Sequence, residues 1–209
     1  MKNNQKELSI LLKEIIATNC VLSIIQFGSS IRHKTDSDID LAIILKKGVF
    51  NNFFGKFSNR SLKEFDISAI KAEEIENLKK FKFGNHGLHF AESLRIGKVL
   101  YGTNPFLKIR PNRTEIEQSI TNRLYDYIYD VRKAIFSKRI NSNISKRWPK
   151  FLRLCLYLLN SNLKYPDVLD LNTKKINKIL KQNKISLPKN LLLAHEVLWE
   201  KVLKKEKII

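Results

Sequence analysis

Apolar residues return along this chain with two different periods. Over residues 4–18, Leu8, Leu11, Leu12, Ile15 and Ile16 recur at three- and four-residue steps, which places them on one face of a helix. Asn19-Cys20 then turns into a compact apolar run, Val21–Phe27, short enough for a strand. Residues 29–34 suit a short helical turn, and 39–45 a second apolar strand closed by Lys46-Lys47-Gly48. Phe50, Phe53, Phe54 and Phe57 return to helical spacing and predict a helix over 49–60 that crosses to a third strand at 62–70. Helices over 72–80 and 85–96 and a short strand at 99–101 follow. The expected product is an α+β domain: a mixed sheet of three to five strands with flanking helices, packed on one side.

Past Thr103-Asn104-Pro105 the strand period disappears. Ile116, Ile120, Leu124, Tyr127, Ile128, Val131 and Ile135 predict a long helix over 115–137. Further helices are expected over 146–159, broken by Pro166 and Asp167, then over 172–182 and 188–204. The reading is two domains: 1–104, carrying the sheet, and 105–209, a small antiparallel helical bundle.

Candidate chemistry concentrates between the first two strands, in Phe27-Gly28-Ser29-Ser30-Ile31-Arg32-His33-Lys34-Thr35-Asp36-Ser37-Asp38-Ile39-Asp40-Leu41. In a strand, residues two apart point the same way, so Asp38 and Asp40 present two carboxylates on one face, opposite Ile39 and Leu41. Paired carboxylates repel unless a cation lies between them, and Mg²⁺ favours one or two carboxylates together with substrate phosphates. Gly28 lets the backbone turn and approach a ligand. Ser29 offers a hydroxyl and a backbone N–H to phosphate oxygens. The alternative is a polar turn between strands, since Asp and Ser favour turns. Against that, Asp40 opens the core strand 41–45, where an unpaired charge is costly. Asp66, between Phe65 and Ile67, meets the same cost.

Phe27, Gly28, Ser29, a spacer, then Asp38-Ile39-Asp40-Leu41 resembles the signature of the polymerase-β-like nucleotidyltransferases, in particular their small minimal and antibiotic-type prokaryotic branch. The family's third carboxylate, on a later strand between apolar residues, corresponds to Asp66. His89 to Gly102, ending in Gly97 and Leu100-Tyr101-Gly102, resembles the helix and short strand that end many of these domains. The spacer is somewhat short, and His33 follows Arg32 where many relatives have Gly. The resemblance covers about the first half of the chain. It implies transfer of a nucleoside monophosphate from an NTP, with ATP the expected one, to an acceptor hydroxyl with release of pyrophosphate. It further implies two Mg²⁺ ions on Asp38, Asp40 and Asp66, with Asp66 as ligand or proton acceptor. Gly28 and Ser29 are expected to hold the β- and γ-phosphates, with Arg32 and Lys34 neutralising charge.

Composition then bears on the acceptor. Net charge is +19. Residues 1–104 hold 16 basic and 11 acidic side chains, so +5, and residues 105–209 hold 23 and 9, so +14. The basic half suits an acidic partner or, equally, solvated helix faces, because the basic residues read as scattered rather than gathered into a stripe. Acceptors left open are a protein side chain, an RNA 3′ end and a small molecule; the scarcity of acids in the second half disfavours a cationic drug. The bundle is expected to bind acceptor or to form a homodimer, and a toxin partner stays open. The different-class reading is a nucleotide- or RNA-binding antitoxin-like module acting without turnover.

Cys20 and Cys155 show no paired spacing and read as buried thiols. No secretory pattern opens the chain and no apolar run reaches the ~20 residues of a membrane span, so a cytoplasmic protein with no membrane contact is expected. His33 reads as a phosphate-loop residue, His86 and His89 as structural, and His195 as a helix surface or boundary residue. No Arg-x4-6-His ribonuclease motif occurs in the second half. Of Tyr125, Tyr127 and Tyr129, most are expected to pack, with Tyr125 or Tyr129 available for stacking.

Overall fold

A computed structural model describes residues 2–28, 31, 39–57, 65–76, 87–137 and 142–205. The chain divides into two units, Met1–Pro111 and Asn112–Ile209.

The first unit is built on strands β1 (Val21–Phe27), β2 (Ile39–Leu45), β3 (Phe65–Lys71) and β4 (Lys98–Gly102), in the order β3-β2-β1-β4. β1 pairs antiparallel with β2 and β4, and β2 pairs parallel with β3, so the sheet is mixed. The central place of β2 explains its unbroken apolar run: Leu41 to Leu45 are all buried, because both faces are covered. Ile24, Leu41, Ile43 and Leu45 pack on one face with Leu11 and Ile15 of helix α1 (Lys2–Ala17) and Phe53 of α2 (Phe50–Phe57). Ile25, Ala42, Ile44 and Ile70 pack on the other with Leu88, Ala91 and Leu94 of α4 (Gly87–Arg95). Helices on one side only was therefore the wrong expectation. A strand as apolar as β2 has two faces to remove from water, and one layer of helices covers only one. A short helix, α3 (Ala72–Glu76), follows β3 directly, and the Glu74 carboxylate accepts from the Lys71 backbone N–H at 2.8 Å.

Asn104 anchors the end of this unit. Its buried side-chain amide donates to the Leu94 carbonyl at 2.8 Å and its oxygen accepts from the Phe106 N–H at 2.9 Å. The link ties the C-terminus of α4 to the turn Pro105–Lys108, and Phe106 and Ile109 complete the core beneath it.

The second unit holds α5 (Arg113–Ser137), α6 (Ser142–Leu159), α7 (Thr173–Gln182) and α8 (Leu191–Lys205). Its core joins Ile120, Leu124 and Ile128 of α5, Phe151, Cys155 and Tyr157 of α6, Ile176 and Ile179 of α7, and Leu198, Trp199 and Val202 of α8. α6 ends at Leu159, before Pro166, and α8 begins at Leu191, where the Asn190 side chain accepts from the Leu192 and Leu193 N–H groups. Arg113 closes the end of α6. Its guanidinium donates to the carbonyls of Tyr157, Asn160, Ser161 and Leu163 and to Glu117, and it stacks over the Tyr157 ring at 4.6 Å. That supplies partners to carbonyls a helix C-terminus leaves without intrahelical donors. Burial pushes the Cys155 thiol well above its ordinary pKa, as befits an inert core residue. Among the described residues no helix is long and apolar enough to cross a membrane.

His195 corrects the sequence reading. It is fully buried, not a surface residue, with ring centroids 4.5 Å from Trp148 and 4.7 Å from Phe151. The Leu191 carbonyl, 2.7 Å from Nδ1, can only accept, so Nδ1 carries the hydrogen and Nε2 is left as a buried lone pair without a partner. Burial lowers the ring's pKa, against smaller raising effects of the Leu191 carbonyl and Glu196.

Candidate active site

Two of the three expected carboxylates fall within the described residues, and the sheet register brings them together. Asp40 is the second residue of β2 and Asp66 the second of β3, and they are direct partners in the parallel pair. Registered residues of neighbouring strands share a face, with strands about 4.8 Å apart. Asp40, Ala42 and Ile44 therefore line up with Asp66, Ser68 and Ile70. This is the face covered by α4, and the carboxylates lie past the end of the core formed by Ala42, Ile44 and Ile70. The Phe27 ring, which meets Phe90 of α4 edge-on at 5.2 Å, belongs to the β1 residue registered beside Asp40.

On its other side Asp40 is paired with Phe27, the last residue of β1. Gly28 comes next, at φ +78°, in the left-handed region that glycine tolerates best. A Cβ on Gly28 would lie 2.0 Å from Asp40 Oδ2. The Asp40 carboxylate is thus tucked against the bare backbone that follows β1. The absence of a side chain there, more than turn flexibility, is what the position requires.

Burial differs between the two acids. Asp40 is half-buried, but Asp66 is exposed, which corrects the expectation that Asp66 carries the cost of a charge inside an apolar strand. β3 is an edge strand, and while Phe65 and Ile67 pack partly against the core, Asp66 between them is exposed. Two carboxylates side by side on one face still repel, and a hard cation between them relieves that repulsion. Carboxylate oxygens of this kind are the donors a hard cation such as Mg²⁺ takes. Among the described residues no set of three His, Cys, Asp or Glu side chains forms a metal-binding group. Ser29, Arg32, His33, Lys34, Asp38 and His86 lie outside the described residues.

The helix-then-strand ending is present as α4 and β4. Gly97 fits where a Cβ would lie 2.5 Å from Ile25 Cγ2, so it lets β4 pack flush against β1. α4 also carries a feature the sequence reading passed over. Glu92 is buried and holds Arg95 in a two-point pair at 2.6 and 2.7 Å, which raises the pKa of Arg95. Its i, i+3 spacing was the available signal.

In the second unit Tyr127 is buried, whereas Tyr125 and Tyr129 are 44% and 61% exposed, as the alternation around a helix requires. Tyr125 lies edge-on to Trp199, and the Lys133 ammonium sits 4.3 Å over the Tyr129 ring. Arg132 holds Glu196 through two bonds of 2.8 and 3.0 Å.

Neither a protein-family model nor a curated protein matches this sequence. Among solved structures, "spectinomycin adenyltransferase AAD(9) from Enterococcus faecialis with ATP and spectinomycin" is similar with a TM-score of 0.59. The match covers 97% of this chain and 99% of that one, at 10% identity. At that identity the likeness concerns the fold alone: a mixed sheet with flanking helices followed by a helical region, the architecture expected from the motif resemblance.

Proposed function

We propose that this protein is a Mg²⁺-dependent nucleotidyltransferase that moves AMP from ATP to an acceptor hydroxyl and releases pyrophosphate. The observation that carries the reading is the register pairing of Asp40 with Asp66, together with the side-chain-free backbone of Gly28 against Asp40 Oδ2. The likeness to a structure holding ATP supports it.

Asp38, Asp40 and Asp66 would hold the metal, which when bound neutralises triphosphate charge and lowers the pKa of the acceptor hydroxyl. The protein's own part is positioning. Gly28 and Ser29 bring backbone and hydroxyl donors to the β- and γ-phosphates, and Arg32 and Lys34 supply positive charge as the leaving group develops negative charge. The acceptor oxygen bonds to the α-phosphorus while the bond from that phosphorus to the bridging oxygen breaks. Pyrophosphate leaves, and the hydroxyl proton passes to the Asp66 carboxylate. The exposure of Asp66 suits that role, since an incoming acceptor can reach it. The helical unit serves as acceptor-binding or oligomerisation domain, in a cytoplasmic protein drawing on cellular ATP.

The test is incubation with Mg²⁺ and α-³²P-labelled ATP, alone and with total RNA, protein extract, or hydroxyl-bearing small molecules. Spectinomycin, present in the similar structure, is among the last. Label on a discrete acceptor, abolished in Asp40→Asn and Asp66→Asn, is the expected result. Transfer unchanged in Asp40→Asn refutes the assignment. Retention of nucleotide without transfer to any acceptor favours the module that binds without turnover.

A further inference from the structure

The sequence reading describes the basic residues of the second half as scattered, and on α7 the fold overturns that. Residues 171–190 contain six lysines and no acidic residue. Within α7, Ile176 and Ile179 are buried in the core of the helical unit. At 100° per residue, Lys174, Lys178 and Lys181 fall within about 60° of one another on the opposite side, along about 10 Å of helix. All three are exposed, as are Lys175 and Lys184, and among the described residues none of these five side chains makes an ion pair or hydrogen bond.

Helix stability does not explain this arrangement. Lys174 and Lys175 stand in the first turn, at the positive end of the helix dipole, where cations are unfavourable. Lys174 with Lys178, and Lys178 with Lys181, are like-charge neighbours at i, i+4 and i, i+3. Lys184 sits at φ +52° just beyond the helix, in a Schellman-type cap where its N–H meets the Lys181 carbonyl and the Ile185 N–H meets the Leu180 carbonyl. Glycine fits that position better than any residue with a side chain. Charge is thus kept on one surface at several positions where local energetics disfavour it, and nothing within the described helix compensates it.

We propose that the lysine face of α7, extended by Lys184, docks the phosphodiester backbone of a nucleic acid. Lysine is a flexible point charge suited to phosphates in varied positions, so the surface gives affinity and not sequence choice. The inference is independent of the transferase reading, because it concerns binding without nucleotide turnover.

The test uses the full chain and fluorescence anisotropy of a fluorescein-labelled single-stranded RNA, with DNA of the same sequence as a second arm, over a range of salt. The triple variant Lys174→Glu/Lys178→Glu/Lys181→Glu is compared with Lys6→Glu/Lys13→Glu/Lys56→Glu, an equal charge change on exposed positions of α1 and α2. Circular dichroism and tryptophan fluorescence check folding, and a Lys→Gln triple at the α7 positions replaces the first should it not fold. The expected result is an affinity loss of about tenfold or more for the α7 variant, with the log–log salt slope shallower by about 2, and a near-unchanged control. Binding of either nucleic acid that is lost in this way supports the proposal, and the relative affinities say which one docks. No binding by the unmodified chain, equal loss in both triples, or an α7 variant that binds as before overturns it. Displacement of the probe by poly-glutamate as readily as by unlabelled nucleic acid of equal charge also overturns it, in favour of an acidic protein partner.

Discussion

Replacing Gly28 by alanine tests the central geometric claim about the site. Two costs follow. Alanine at φ +78° is strained by about 1–2 kcal/mol. Its Cβ also meets Asp40 Oδ2 at 2.0 Å, so the carboxylate must rotate away. A short side chain can yield, and a displaced rotamer costs about 1 kcal/mol. The expected loss is therefore about 2–3 kcal/mol of stability in the first unit, with a much larger loss of nucleotidyl transfer, down to the level of Asp40→Asn. In an Asp40→Ala background the nearest contact left is Asp40 Cβ at 3.3 Å, so Gly28→Ala should cost only the backbone part, about 1–2 kcal/mol. The coupling of about 1 kcal/mol between the two positions is the signature. Trp148 and Trp199, the only tryptophans, both lie in the second unit, so their fluorescence reports on that unit. The first unit is read by hydrogen–deuterium exchange of peptides from β1 and β2 against urea. Equal cost in both backgrounds, or a Gly28→Ala protein that retains full transfer, refutes the reasoning.

The helical unit yields three further predictions, each measured by urea unfolding followed through tryptophan fluorescence. Arg113→Lys cannot reproduce a fork that serves four carbonyls and Glu117. It should cost about 2 kcal/mol, a figure already discounted for a side chain about one-third exposed, and a change below about 0.5 kcal/mol would count against the capping role. Lys184→Gly should stabilise the unit by about 1 kcal/mol by relieving its left-handed backbone, and destabilisation would contradict the cap geometry. His195 has a lowered pKa when folded, so the unfolded chain binds more protons. Its contribution is complete above the ordinary value near ~6.5 and is lost as pH falls from there toward the lowered folded value, with a slope of at most about 1.4 kcal/mol per pH unit. His195→Leu should flatten that slope, and an unchanged pH profile would exclude His195 as its source.

How much of this was legible in advance depended on the range of the interactions involved. The three-and-four spacing of Ile116 to Ile135 and the block from Leu41 to Leu45 are local patterns, and they placed α5 and β2 because burial of one stripe, or of both faces, is encoded within a few turns or residues. Gly28, Asp40 and Asp66 stood out as candidates for the same local reason, since a glycine closing one apolar run and acids within two others are visible from residue type alone. Pairing was not readable. That Asp66 stands beside Asp40, one exposed and the other half-buried, follows from which strand lies at the sheet edge and from the register across it. Gly28 could be read as a turn residue. Only packing reveals that the space its missing Cβ leaves is filled by a carboxylate.

The same division separates His195 and Asn104 from their neighbours in sequence. A histidine among Leu191, Leu192 and Leu193 can face either way on a helix, and the rings of Trp148 and Phe151, more than 40 positions earlier, decide that it faces inward. Asn104 looked like a breaker beside Pro105, yet the carbonyls at the end of α4 make it a buried clasp. The sequence by itself determined where the described strands and helices form and nominated the candidate chemistry, because these depend on local periodicity and residue type. Tertiary structure alone decided which acids meet, which helix faces cover both sides of β2, and which lysines form one surface, because those depend on contacts between segments that the chain separates.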